Sequence, residues 1–185
     1  MIDQAYELLM GGNFEDAVKA FSNCLSLEPQ EARIYRGRGV AYFQLKRWKL
    51  AITDFEKARQ LDYEEPSSWM GLAMSFVMDS KIYEAIDVYE KLLARKPRFI
   101  RAHIQLALLY YRLGIISKGH HQLDIALNSG STLTERKRIE DLKNEQLALD
   151  KKRYYRPDFQ ALREQNQAGS FSFLKEFTKL FGKHS

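Results

Sequence analysis

One cysteine, Cys24, is all the chain of 185 residues contains, so no disulfide can form within it. No apolar run approaches the ~20 residues that a bilayer-spanning helix needs. The first residues, Met1 to Ala5, have no basic segment followed by an apolar core, so nothing there reads as a secretory signal. A cytoplasmic location is the simplest expectation. Chemistry is equally sparse. Cys24 falls where packing against a neighbouring helix wants a small residue. His120 and His121 are adjacent, which on a helix points them about 100° apart and denies them the i, i+4 spacing of paired metal ligands. Gly11-Gly12 sits at a turn, and Gly37 and Gly39 lie within a helix, so neither pair makes a phosphate-cradling loop. No nucleophile, base and orienting residue stand together. The expectation is therefore a non-enzymatic chain with no cofactor and no metal.

What the chain does have is a repeat. Three segments, Ala32 to Tyr42, Pro66 to Phe76 and Ile100 to Tyr110, align at a spacing of 34 residues. Tyr35, Trp69 or His103 comes fourth in each, Gly39, Ala73 or Ala107 eighth, and Tyr42, Phe76 or Tyr110 eleventh. Small residues at the eighth place let two helices approach closely. A second helix follows with Ala51, Phe55 and Ala58, then Ala85, Tyr89 and Leu92, then less faithfully Gly119, Leu123 and Ala126. Carried backwards, the register finds an earlier copy in Ala5, Leu8, Phe14, Ala17, Phe21, Cys24 and Pro29.

This pattern resembles the tetratricopeptide repeat family over residues 1–133, in four units at about 1–31, 32–65, 66–99 and 100–133. The sequence departs from the family at Tyr63, where proline is usual, at Gly119, in place of alanine, and at Ser131, in place of the final proline. The resemblance implies an all-α, right-handed superhelical solenoid of antiparallel helix pairs. Its concave groove would be lined mainly by the first helix of each unit.

Projected through that geometry, the groove receives Tyr6, Leu9 and Met10, then Arg33, Arg36, Val40 and Phe43. The third unit adds Met70, Met74, Val77 and Met78, and the fourth Arg101, Ile104, Leu108, Tyr111 and Arg112. The expected lining is apolar, with flexible methionines in the middle suited to mould around an apolar ligand. Arginines on the rim would orient a ligand that carries acidic residues. A subgroup of the family grips the carboxylate tails of heat-shock chaperones with a lysine, asparagine and arginine clamp. Here those places hold Ile2, Tyr6, Gly37, Ser67 and Gly71 in one register, and Arg36, Val40, Gly71, Arg101 and Gln105 in the next, so the clamp is missing.

Beyond the repeats, Thr132 and Glu135 have capping-box spacing. They precede a charged helix over 134–156 whose stripe of Ile139, Leu142, Gln146 and Leu149 would cap the solenoid. Residues 134–185 carry 12 lysines and arginines against 8 acidic residues, which places four of the five net positive charges there. Lys151 to Arg156 mix cations with tyrosines, a combination that suits nucleic acid when exposed, although cations also favour helix C-termini. Within the basic tail, 157–185, Phe173, Leu174, Phe177, Leu180 and Phe181 fall on one face of an amphipathic helix of about three turns. That helix has three candidate resting places: the solenoid itself, a partner, or, weakly for want of lysines, a membrane surface. The reading as a whole is an adaptor or chaperone-like scaffold that takes a partner's apolar helix or extended segment in its groove, with its own last helix as a displaceable occupant. A nucleic-acid protein acting through its tail, and a self-assembling scaffold, are the alternatives.

Overall fold

The structure is a computed structural model that describes residues 1–130 and 132–154. Among these residues the chain is all-α, with nine helices and no strand. Four helix pairs succeed one another: α1 (Ile2–Met10) with α2 (Phe14–Leu27), α3 (Ala32–Gln44) with α4 (Trp48–Leu61), α5 (Pro66–Met78) with α6 (Ile82–Arg95), and α7 (Ile100–Arg112) with α8 (Ile116–Asn128). A single long helix, α9 (Leu133–Tyr154), follows. Each helix packs on the next, and α3 also touches α1 and α5.

The 34-residue period governs the core. Phe21, Phe55, Tyr89 and Leu123 occupy one place in the four second helices, and all are fully buried. Around these large residues the first helices supply small ones. A Cβ built on Gly37 would stand 2.7 Å from Cε1 of Phe21, and one on Gly71 would stand 2.5 Å from Cζ of Phe55. Rings seated directly on helix backbone bring the layers together.

The turn inside each unit is also the same object four times. Gly12, Lys46, Ser80 and Gly114 all have positive φ, at 78°, 59°, 64° and 75°. Each is followed by an N–H that reaches back across the turn, from Asn13 to Leu8, Arg47 to Tyr42, Lys81 to Phe76 and Ile115 to Tyr110, at 2.8 to 2.9 Å. These are Schellman caps, which satisfy the otherwise orphaned carbonyls at a helix C-terminus. Glycine adopts the left-handed region freely, whereas Lys46 and Ser80 hold it at a cost.

The joint between units uses a second recurring contact. Tyr35 Oη donates to the Pro29 carbonyl at 3.2 Å, and Trp69 Nε1 to the Tyr63 carbonyl at 2.9 Å. His103 Nε2 lies 2.9 Å from the Pro97 carbonyl. Three different side chains thus bind the carbonyl six residues before them. The geometry places the His103 proton on Nε2, because a carbonyl can only accept. Tyr63, standing where the first and third units have Pro29 and Pro97, is held by its ring instead: it packs edge-on to Trp69 at 4.9 Å, beneath the Arg95 guanidinium at 4.2 Å. Gly119 has an equally local reason, since a Cβ there would lie 2.6 Å from Cδ1 of Tyr111.

Arg38 and Asp54 tie α3 to α4 with two hydrogen bonds of 2.8 Å, and Arg38 reaches Ser22 of α2 at 3.1 Å. Burial pushes the Asp54 carboxyl above its ordinary value, and the Arg38 guanidinium opposes that shift.

At the far end, Thr132 and Glu135 exchange hydrogen bonds: the Thr132 N–H donates to Glu135 Oε2 at 2.9 Å and the Glu135 N–H to Thr132 Oγ1 at 3.3 Å. Ile139 is fully buried and Leu142 packs beside it against α7 and α8. The expected stripe stops short of its last member, because Leu149 remains 39% exposed. Length explains this: 22 residues of α9 extend ~33 Å, against ~20 Å for the 13 residues of α8.

Candidate concave groove

The first helices, α1, α3, α5 and α7, carry the residues expected to line the groove, and these residues differ sharply in burial. Val40 and Phe43 of α3 are 6% and 2% exposed, and Met70, Met74 and Val77 of α5 are 3%, 0% and 5% exposed. Leu9 and Tyr111 are buried as well. Met10, Arg33, Arg101 and Arg112 are exposed, and Tyr6, Arg36, Met78, Ile104 and Leu108 are half-buried.

Of the methionines expected in the middle of the lining, Met74 has no exposed surface and Met78 keeps only part of its own. Close approach of the helices is one physical reason. Gly71 seats α5 directly on the Phe55 ring, and α5 also packs on α3, so the row between them sinks. Long unbranched thioethers then fill the depth that remains.

The arginines of α3 are partly pre-positioned. The Arg33 guanidinium lies 4.8 Å above the Tyr6 ring and 3.4 Å from the Asp3 carboxylate, while Tyr6 Oη donates to the Arg33 carbonyl at 2.8 Å. Burial raises the Tyr6 phenol, and Arg36 and Arg33 pull the other way. Arg36 Nη1 is buried without a hydrogen-bond partner, a donor left over beside the apolar floor. Tyr111 closes the opposite end with Oη 2.9 Å from His120 Nδ1. Burial, with Asp124 nearby, pushes its phenol up to about 12.

Two glycines are closely packed. Gly37 and Gly71, two of the places compared with the clamp, face the Phe21 and Phe55 rings with no room for a Cβ. Open surface depressions occur at Lys96 to Phe99 and at Lys46 to Leu50 with Asp79. Among the described residues no three histidine, cysteine, aspartate or glutamate side chains converge as a metal site, and no helix is long and apolar enough to cross a membrane. The tail residues Phe173, Leu174, Phe177, Leu180 and Phe181 lie outside the described residues.

Known proteins agree with this architecture. Residues 2–66 match a tetratricopeptide repeat family model. Over 111 residues, 60% of the chain, it is 30% identical to human tetratricopeptide repeat protein 13, of which it spans 13%. A thermophilic tetratricopeptide repeat protein from Thermus thermophilus superposes with a TM-score of 0.65 at 15% identity, over 78% of each chain. The second such domain of human RPAP3, solved in complex with an HSP70 peptide, gives 0.55 at 20% identity, over 58% of this chain and 89% of that one. The 34-residue packing period, the family match over residues 2–66 and the shared solenoid show an all-α tetratricopeptide repeat fold.

Proposed function

We propose that the chain is a protein-interaction scaffold that holds an apolar helix or extended segment of a partner along the concave faces of α3, α5 and α7. The observation that carries this reading is the division of the first helices into an apolar floor and an arginine rim. Burying apolar area supplies roughly 25 cal/mol per Å², and the rim selects partners whose flanks are acidic. RPAP3 supports the reading as a solenoid of similar fold that accepts a peptide. Its peptide is a different kind of ligand from the one proposed here: in the first register the clamp places hold Ile2, Tyr6, Ser67 and the ring-filled Gly37 and Gly71, with no basic or amide side chain among them.

Leu108→Glu and Arg112→Glu test the reading at positions that retain exposed surface. Affinity capture from lysate with the intact chain and each variant should recover discrete proteins that Leu108→Glu loses and Arg112→Glu weakens. Nucleic acid recovered equally by all three, and released by salt, would move the function to the basic tail.

A further inference from the structure

We propose that the joint between the third and fourth units is a hinge, at which α7, α8 and α9 turn together on α1 to α6 and change the width of the groove between α5 and α7. The other two joints between units are seated alike: the Phe21 ring lies on Gly37 and the Phe55 ring on Gly71, with no room for a Cβ. One period on, Tyr89 replaces the phenylalanine and Gln105 the glycine. A side chain now stands where the ring would meet backbone. The helices part accordingly, and α6 packs on α7 less closely than α2 on α3 or α4 on α5. On the concave side α1 packs on α3 and α3 on α5, but α5 and α7 lack a contact of that extent.

The same two replacements leave polar atoms buried. Tyr89 is fully buried and Gln105 is 3% exposed, yet neither Tyr89 Oη nor Gln105 Oε1 has a hydrogen-bond partner. Each costs its full desolvation while the joint is closed. Water entering the joint recovers that cost, whereas opening a glycine joint would only expose an apolar ring. The third joint therefore opens at lower free energy than its two counterparts.

The apolar core divides at the helix that begins the moving part. Ala102, Leu106, Leu109 and Tyr110 of α7 join the cluster that runs through the first three units. Ala107 and Tyr111 of the same helix join Leu123, Ala126 and Ile139 in a second cluster with α8 and α9. The fourth unit thus has a core of its own and carries α9 with it. It stays attached through Leu106 and Leu109, through His103 Nε2 at 2.9 Å from the Pro97 carbonyl, and through Tyr110 Oη, which donates to Glu90 Oε1 at 2.8 Å. The joint turns without coming apart.

Met70 and Met74 lie on the α5 side of the hinge, and Ile104 and Leu108 on the α7 side. Turning changes the distance between these residues, so one groove fits either a helix or an extended segment. That consequence rests on the scaffold reading, whereas the hinge itself does not.

Double electron–electron resonance on the full chain, in a Cys24→Ser background, tests the hinge. Nitroxides on Asn23→Cys and Lys91→Cys span the first and second joints, and nitroxides on Thr53→Cys and His121→Cys span the second and third. All four residues are exposed on second helices, and each pair is two periods apart, so a uniform solenoid gives distance distributions of equal width. A hinge at the third joint makes the second distribution roughly twice as broad as the first, or broader. Tyr89→Phe/Gln105→Gly rebuilds the ring-on-glycine seat and should narrow it to the width of the first, and Tyr89→Phe alone should narrow it part of the way. Equal widths in the labelled chains without these changes, or a second width that neither variant alters, would overturn the proposal. The labels report on the chain without a partner, so the hinge is decided separately from the groove binding that Leu108→Glu tests.

Discussion

Phe55 is contacted by glycines from two helices, and the two contacts differ enough to reverse the sign of the same substitution. A Cβ on Gly39 of α3 would meet Cδ1, Cε1 and Cζ of the ring at 3.3 Å, a tight distance that a few tenths of an ångström relieves. A Cβ on Gly71 of α5 would stand 2.8 Å from Cδ1 and 2.5 Å from Cζ, and nearer still to Cε1. The ring is fully buried and cannot swing away. Replacing glycine by alanine within a helix gains about 1 kcal/mol of propensity at either position. At Gly71 the overpacking costs about 2 to 3 kcal/mol, which leaves Gly71→Ala less stable by about 1 to 2 kcal/mol. At Gly39 the propensity gain is largely retained, so Gly39→Ala is neutral or stabilising. Thermal unfolding followed by circular dichroism should show a lower Tm by roughly 2 to 8 °C for Gly71→Ala. Gly71→Ala combined with Phe55→Leu should show a smaller penalty than the sum of the two single changes. Equal Tm shifts for Gly39→Ala and Gly71→Ala, or a Gly71→Ala chain more stable than the original, would refute the ring-on-backbone account.

Arg38→Met strands a buried Asp54 carboxylate and should cost about 3 kcal/mol, while Arg38→Met/Asp54→Leu should recover most of it in urea unfolding; a double variant as weak as the single one would count against the pairing. Lys46→Gly and Ser80→Gly relieve left-handed backbone and should each stabilise by a few tenths to about 1 kcal/mol, whereas Gly114→Ala should destabilise by about 1 kcal/mol. Opposite signs in denaturant midpoint are the check. The Glu135 carboxyl is held below its ordinary value of 4.5 by the Thr132 N–H and hydroxyl. Because the folded value is the depressed one, its support for the start of α9 is present above about pH 4.5 and fades as pH falls through the folded value. Hydrogen exchange at residues 133–137 should accelerate on acidification, and Glu135→Gln should flatten that dependence. His103→Ala should loosen the joint between α6 and α7, and His103→Tyr, which restores a donor like Tyr35, should retain more of the stability; equal loss from both would argue against a shared carbonyl contact.

Much of the architecture could be read in advance because packing repeats where the sequence does. Ala17, Ala51, Ala85 and Gly119 share one place, all are buried, and a spacing of 34 is visible without any structure. Contacts without a period were not visible. Arg38 and Asp54 are 16 residues apart on different helices, and neither has a counterpart in the other units. The strained turns at Lys46 and Ser80 were equally hidden, since neither residue type announces positive φ. For the groove, periodicity gave the face of each first helix but not its depth. Helical spacing assigns Met74 and Met78 to one side of α5, and only the seating of α5 on Phe55 and α3 separates a fully buried Met74 from a half-buried Met78. Tyr63 shows the same division between legible and hidden. Its departure from proline was plain in sequence, while its compensation by Trp69 and Arg95 needed three dimensions.

The most direct test of groove binding is hydrogen exchange on the full chain, alone and saturated with a protein whose capture depends on Leu108. The account predicts that protection changes on α3, α5 and α7 while α4, α6 and α8 are unaltered. Protection confined to the second helices of the units, or to α9, would contradict it.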